Sequence, residues 1–213
     1  VTAITVVTPW HNCQELIPAY SRALDYGLGE VDRLVIVDNG SDPPIRIGAA
    51  DLEIHLPTNV GFSPACNRGF EEVETEAVLF LNNDVVMTSA NWLEQMRSQM
   101  RSGVLVGATL STAPHTAVDG RVQPYIEGWC IGGMTEEIRA LGGWNESLEE
   151  PSYFGDNILS ALARARGMKL VQVPVGLRHL GNFTTRRVNV DGVSGRNRVR
   201  YEQVVRSLNR VAA

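Results

Sequence analysis

Cysteine is scarce in this chain. Cys13, Cys66 and Cys130 form an odd, widely spaced set. That excludes a disulfide framework and a CxxC zinc site, and it suggests a reducing compartment, read here as the cytoplasm. Long apolar runs are also missing: none approaches the roughly 18 residues of a membrane span, so no transmembrane segment is expected. The opening VTAITVVTPW has no basic n-region and turns polar quickly, so no signal peptide is expected. No internal repeat and no low-complexity linker occurs. Two phosphate-binding fingerprints are absent as well, the GxxxxGK loop ending in Ser or Thr and the dinucleotide GxGxxG.

What is present is ordinary globular composition with an unusual charge layout. The 213 residues are 44% hydrophobic and 20% charged, which suits one large domain. The net charge of −5 conceals an asymmetry. From Arg178 onward there are eight arginines (178, 186, 187, 196, 198, 200, 206, 210) against Asp191 and Glu202, a net +6. The remainder holds 11 basic and 22 acidic residues, a net −11. The tail therefore has an affinity for phosphate that the body lacks, and an anionic partner is one reading of it. A solvated helix face packed on an acidic body is the other.

The first half alternates short β-branched runs with helical patterns. ITVVT (4–8), RLVIVD (33–38), LEIHLP (52–57), AVLFLNND (77–84) and VLVGATL (104–110) read as strands. Helices are expected from Glu15 to Leu28, from a cap at Ser63 with Pro64 in the first position, and from a cap at Asn91 through Met100. Such alternation argues for a mostly parallel, Rossmann-like sheet with right-handed crossovers. The second half breaks the rhythm. Residues 111–134 read as loop and short strands, followed by short helices over 136–141 and 156–166 and a strand at 169–175. Residues 176–197 read as irregular, and 198–210 as a basic amphipathic helix.

Ligands of an open parallel sheet bind beyond the carboxyl ends of its strands. TPWHN (8–12), VDNGSD (37–42) and LNNDV (81–85) all fall there. NVGFSPACNRGF (59–70) leads from a strand into a helix, and its early glycine permits close backbone approach. Asp84 ends an apolar run, so the sheet delivers its carboxylate to the rim. It fits either a turn cap or a ligand for a hard divalent cation shared with substrate phosphates. Asp156 fits a helix N-cap. His179 is a lone histidine after a strand and suits a metal ligand or a packing position. His55 and His115 have no motif around them and read as structural. Trp129, beside glycines, reads as half-buried or as a sugar platform.

Taken in order, these segments resemble the family 2 glycosyltransferases of GT-A fold over roughly residues 4–180. VVTPWHN (6–12) is similar to the family's opening strand and P-T-Y-N turn, and VDNGSD to its V-D-N-G-S-x-D block. NVGFSPACNRGF resembles N-x-G-F-A-x-A-x-N-x-G, and LFLNNDV (79–85) resembles L-F-L-D-D-D-V. GWCIGGMTEEIRALGGWNESL (128–148) is similar to the stretch ending in G-G-F-D-E. FGDNILSALARARG (154–167) stands where the family has F-E-D-x-D-L-x-x-R-x-x-x-x-G, and LRHLG (177–181) matches its late histidine.

The resemblance implies a fold, a reaction and a set of roles. The fold would be a single α/β GT-A domain, a mostly parallel central sheet flanked by helices. Residues 1–110 would form its nucleotide-sugar half, 111–180 its acceptor and catalytic half, and 181–213 a basic C-terminal segment. Pro9, Trp10, His11 and Asp38 would line the nucleoside pocket, with Asp38 at the base edge and His11 stacking. Asn59, Gly61 and Asn67 would flank the nucleotide, and Asn82 and Asn83 would lie by the ribose and diphosphate. Asp84, with His179, would hold Mn²⁺ or Mg²⁺. Asp156 would be the general base, and Gly128 and Trp129 would meet the acceptor. The chain departs from the pattern at Asn82-Asn83, which replace two aspartates, at Gly155, which replaces the glutamate before Asp156, at Ile158, which replaces a later acid, and at His11, which replaces a tyrosine. Glu149 or Glu150 would be the stand-in base.

The implied activity is metal-dependent hexosyl transfer from a nucleoside-diphosphate sugar to an acceptor hydroxyl, with inversion. The acceptor could be a carbohydrate, a lipid-linked sugar or a hydroxylated base of nucleic acid. Rival readings are a retaining transferase on the same fold, a nucleotidyltransferase, and a degenerate nucleotide-binding module. The second of these lacks the glycine-rich, Lys- or Arg-bearing loop it would need after the first strand.

Overall fold

A computed structural model describes residues 1–148, 153–181 and 193–211. The chain enters through β1 (Ile4–Trp10), a 3-10 turn (Gln14–Leu16) and α1 (Ile17–Gly27). It continues through β2 (Arg33–Asn39), β3 (Leu52–Leu56), α2 (Phe62–Phe70), β4 (Ala77–Leu81) and β5 (Val85–Met87). Next come α3 (Trp92–Arg97), β6 (Val104–Gly107), β7 (Leu110–Ser111), β8 (Tyr125–Ile126) and β9 (Cys130–Met134). Last are α4 (Thr135–Leu141), α5 (Gly155–Ala165), β10 (Lys169–Gln172), β11 (Leu177–His179) and α6 (Val193–Val211).

Seven strands form the central sheet in the order β10-β6-β9-β4-β1-β2-β3. Only β9 runs antiparallel to its neighbours, β4 and β6. The sheet is therefore mostly parallel, as the strand–helix alternation predicts. Successive side chains alternate between two buried layers. Val6, Leu34, Ile36 and Leu79 join Tyr20, Leu24 and Trp92 on one face. Val7, Val35, Val37, Val78 and Phe80 join Phe70, Ile138 and Leu159 on the other. Burial on both faces explains why these strands read as unbroken apolar runs. A third cluster packs α6 onto α5 through Phe154, Ile158, Ala161, Tyr201 and Val205. No described helix is long and apolar enough to cross a membrane.

Several boundaries differ from expectation, each for a local reason. The cap of α2 is Gly61 rather than Ser63, because the turn requires φ of +100° there, which glycine adopts without strain. Pro64 therefore falls in the third helical position. Helix α3 stops at Arg97, whose guanidinium turns to Asp32 Oδ2 at 2.6 Å, a buried ion pair. The expected strand 104–110 breaks after Gly107. There the Ala108 N–H donates to the Cys130 carbonyl, and the chain moves off to pair with β8. β5 and β11 were not foreseen: three residues each give too short a pattern to read. Helix α6 begins at Val193, earlier than expected.

Candidate active site

Beyond the carboxyl ends of β1, β2 and β4 lies one open cavity of about 660 Å³. At its first end, Pro9, Trp10, His11, Asn39, Asn59 and Gly61 form the wall. The side chains there bond mainly to one another. His11 Nδ1 lies 2.9 Å from the Asn39 carbonyl and donates to it, so Nε2 accepts from Asn12 Nδ2 at 3.2 Å. The Asn39 amide donates to Asn59 Oδ1 and to the Gly61 carbonyl, and its oxygen accepts from the Val60 N–H. Gly40, at φ +71°, lets the β2 end press on the next loop. A Cβ there would stand 2.4 Å from the Thr58 backbone.

Asp38 and Asn67 do not reach the cavity wall. Asp38 is buried, and its oxygens accept from the Ser41 and Ile45 N–H groups and from His55 Nδ1, each at 3.0 Å. Burial pushes its pKa up, but the bonds from Ser41, His55 and Ile45 outweigh this and hold the carboxyl below its usual range. His55, which reads as structural, is thus a partner of Asp38. Asn67 ties α2 to the loop after α4: its Nδ2 donates to the Trp144 carbonyl at 2.9 Å, and its Oδ1 accepts from the Trp144 N–H at 2.9 Å.

At the centre, Asn82, Asn83, Asp84 and His179 line the cavity. The β5–β11 ribbon sets this group: Val85 pairs with His179, and the Leu180 N–H donates to the Asp84 carbonyl at 2.8 Å. His179 Nε2 consequently lies 2.9 Å from Asp84 Oδ1. Trp129 stacks on His179 with the rings 5.2 Å apart and 7° from parallel. Its carbonyl accepts from the Asn82 N–H at 2.8 Å. Trp129 lines the cavity with His179 over one ring face, and at 9% exposure it is buried rather than half-buried. Asn82 Oδ1 and Asn83 Nδ2 are buried and have no partner among the described residues.

The residues suit a divalent cation in part. Two ligands held about 2.1 Å from an octahedral ion stand about 3 Å apart; the Asp84–His179 spacing matches that. Asn82 Oδ1 adds an unpaired oxygen acceptor. Among the described residues no group of three or more His, Cys, Asp or Glu side chains could enclose a metal ion. No Lys or Arg lies among the described lining residues.

At the far end, Asp156 occupies the second position of α5, whose cap is Phe154 in the left-handed region at φ +74°. Asp156 is therefore not the N-cap. Its Oδ2 accepts from the Gly128 N–H at 2.9 Å and its Oδ1 from the Asn157 N–H at 2.9 Å. Burial pushes its pKa up, the two N–H groups pull it down, and the Glu127 charge raises it again, for a net value of about 6. Gly128 has no room for a side chain: a Cβ there would stand 3.0 Å from the Trp144 ring and 3.2 Å from Asp156 Cβ.

Glu127, Trp144 and Asn157, which no motif singles out as site residues, line this end, as does His115, which reads as structural from sequence. Glu127 opens the segment containing Gly128 and Trp129, and that adjacency was the available signal. Glu149, Glu150, Arg186 and Arg187 lie outside the described residues. On α6, Arg198 pairs with Glu202, Arg206 with Asp119 and Glu202, and Arg200 donates to the Ser147 carbonyl.

Residues 5–155 match the sequence profile described as Glycosyl transferase family 2. No curated protein matches the chain by sequence. Among solved structures, the fold is similar to a mannosyltransferase, PcManGT from Pyrobaculum calidifontis, in complex with GDP-Man and Mn²⁺. The TM-score is 0.62 at 16% identity, covering 80% of this chain and 54% of that one. It is also similar to TarS of S. aureus, with a TM-score of 0.57 at 15% identity, covering 79% of this chain and 35% of that one. The chain thus spans about half or less of the length of either. With the profile matching well over half of its residues and the sheet order on the page, the chain belongs to glycosyl transferase family 2 and has the GT-A fold.

Proposed function

We propose that the chain transfers a sugar from a nucleoside-diphosphate sugar to an acceptor hydroxyl, with inversion and with Asp156 as the base. The observation that carries this reading is the placement of Asp156 in one cavity with the Asp84–His179 pair, its pKa raised to about 6. A carboxylate of that pKa is ionised at neutral pH yet basic enough to take a proton in the transition state.

The roles divide along the cavity. Pro9, His11, Asn59 and Gly61 hold the nucleoside end. Asp84 and His179 would hold Mn²⁺ or Mg²⁺ beside the donor diphosphate. The PcManGT complex with GDP-Man and Mn²⁺ supports that choice of ligand and ion. When bound, the cation supplies Lewis-acid neutralisation of the leaving diphosphate. This role carries weight here because no Lys or Arg lines the described cavity. Trp129 keeps His179 oriented toward Asp84. Asp156, held by two backbone N–H groups, accepts the acceptor hydroxyl's proton as that oxygen bonds to the anomeric carbon. The bond from that carbon to the diphosphate breaks on the opposite face, which inverts the configuration.

The α6 arginines favour packing over nucleic acid, since Arg198, Arg200 and Arg206 each have a partner within the fold. A thermal-shift titration tests the donor assignment. Stabilisation by a nucleotide sugar should require Mn²⁺ and follow RT ln(1 + [L]/Kd). No stabilisation by any GDP- or UDP-sugar with Mn²⁺ present would sink the reading.

A further inference from the structure

Four buried side-chain polar atoms on residues that line this one cavity have no hydrogen-bond partner among the described residues. Two of the four, on Asn82 and Asn83, fall within the diphosphate region already assigned. The other two are Trp144 Nε1 and Asn157 Nδ2. Both residues are at most 5% exposed. A buried donor without a partner costs free energy of folding, so its retention at a cavity wall points to a ligand that completes it. Trp144 also stands where the resembling G-G-F-D-E stretch has phenylalanine, and it adds one N–H that phenylalanine lacks.

Position decides what that ligand is. The Trp144 ring meets the Phe62 ring edge-on at 5.0 Å, and Phe62 follows Gly61 of the nucleoside end. The Trp144 ring and Asp156 also both flank Gly128, where a Cβ would stand 3.0 Å from the ring and 3.2 Å from Asp156 Cβ. Trp144 therefore spans the interval between nucleotide and base, which is where the transferred sugar must lie. Asn157 adjoins the base directly in sequence. The charges there are Asp156 and Glu127, with no Lys or Arg among the described lining residues. A carboxylate or phosphate on the ligand would be repelled, whereas hydroxyl oxygens accept from both donors and can themselves donate to the acids.

We propose that Trp144 and Asn157 form a hydroxyl-reading subsite that selects a donor carrying an uncharged sugar ring over one carrying an anionic ring. The inference rests on the nucleotide-sugar reading above, and its test separates the two.

The test is calorimetric titration in Mn²⁺ with GDP, UDP, GDP-mannose, UDP-glucose and UDP-glucuronate. At least one uncharged nucleotide sugar should bind more tightly than its parent diphosphate, and UDP-glucuronate should not exceed UDP. Trp144→Phe and Asn157→Leu should each reduce the sugar's added affinity roughly threefold to tenfold, the worth of one neutral hydrogen bond. Neither should change the affinity for GDP or UDP. Three results would each overturn the subsite while leaving the donor reading intact: an equal loss for the parent diphosphate, an unchanged sugar increment in both variants, or a larger increment for UDP-glucuronate. Binding of neither nucleotides nor nucleotide sugars would overturn both. Two variants are used so that a folding defect in one leaves the other as the test.

Discussion

The two ends of the cavity treat polar groups in opposite ways. At the end beside β1 and β2, His11, Asn39, Asn59 and the nearby Asp38 bond to other groups of the protein. At the far end, Trp144 Nε1 and Asn157 Nδ2 are buried without partners among the described residues, and Asp156 sits with its pKa raised. Asp38 and Asp156 make the contrast within one residue type. Asp38 accepts three bonds and its pKa falls below the usual range. Asp156 has two N–H groups against dense packing and a neighbouring carboxylate, and its pKa rises to about 6. The first end is built as a finished frame. The second holds groups that, on the proposed function, a ligand would complete, beside a carboxyl responsive enough for proton transfer.

Substitutions at the unfinished end should cost activity, and those at the finished end should cost stability. The largest effect is expected for Asp156→Asn. Turnover should fall roughly 10²–10⁴-fold with donor affinity nearly unchanged, as read by initial rates and calorimetry. In the native protein, turnover should rise with pH through about 6 as the carboxyl ionises, and that acid limb should vanish in the variant. Unchanged turnover would remove Asp156 from the base role.

Next in size, Asp84→Ala should abolish Mn²⁺-dependent nucleotide binding, and His179→Ala should weaken it less. Titration of Mn²⁺ with GDP present would read both. If Mn²⁺ still strengthened GDP binding to Asp84→Ala, the ligand assignment would fail.

At the finished end, Asp38→Asn should destabilise the fold by roughly 1–3 kcal/mol at pH 7, since bonds to an ionised acceptor are weakened or lost. Because the folded pKa of Asp38 is depressed, its stabilisation is present above the unfolded carboxyl range and is lost as pH falls through the folded value. The deficit of the variant should therefore shrink in acid, and denaturant melts at pH 7 and pH 3 would reveal this.

Asp156 should show the reverse stability trend. Its folded pKa is raised, so ionising it costs folding energy as pH climbs from the unfolded value through about 6. Relative to the native protein, Asp156→Asn should gain stability between pH 4 and pH 8. The gain is on the order of 1–2 kcal/mol, once solvent in the open cavity is allowed for. Equal pH dependence of the two melts would contradict the raised pKa. The smallest effect is expected for Arg206→Ala, an exposed pairing remote from the cavity, which should leave donor binding unchanged and barely move Tm.

The sequence by itself determined the parallel sheet, because strands buried on both faces must be apolar at every position, and runs such as VLFL and LVIV show it locally. It also determined the family, the strand end that carries Asn82 and Asp84 and the helix start that carries Asp156, through motifs in order. It could not reveal that β9 enters the sheet antiparallel between β4 and β6, because pairing direction is decided by which strands lie adjacent in space. The pairing of His179 with Asp84, 95 residues earlier, was legible only through the family resemblance, because the contact itself depends on two three-residue strands with no readable period. That Trp129 is buried with His179 stacked on one ring face depends on the same long-range contact. The raised pKa of Asp156 and the unpaired donors of Trp144 and Asn157 belong to the tertiary structure alone, since burial and hydrogen-bond completion depend on every neighbour the fold assembles.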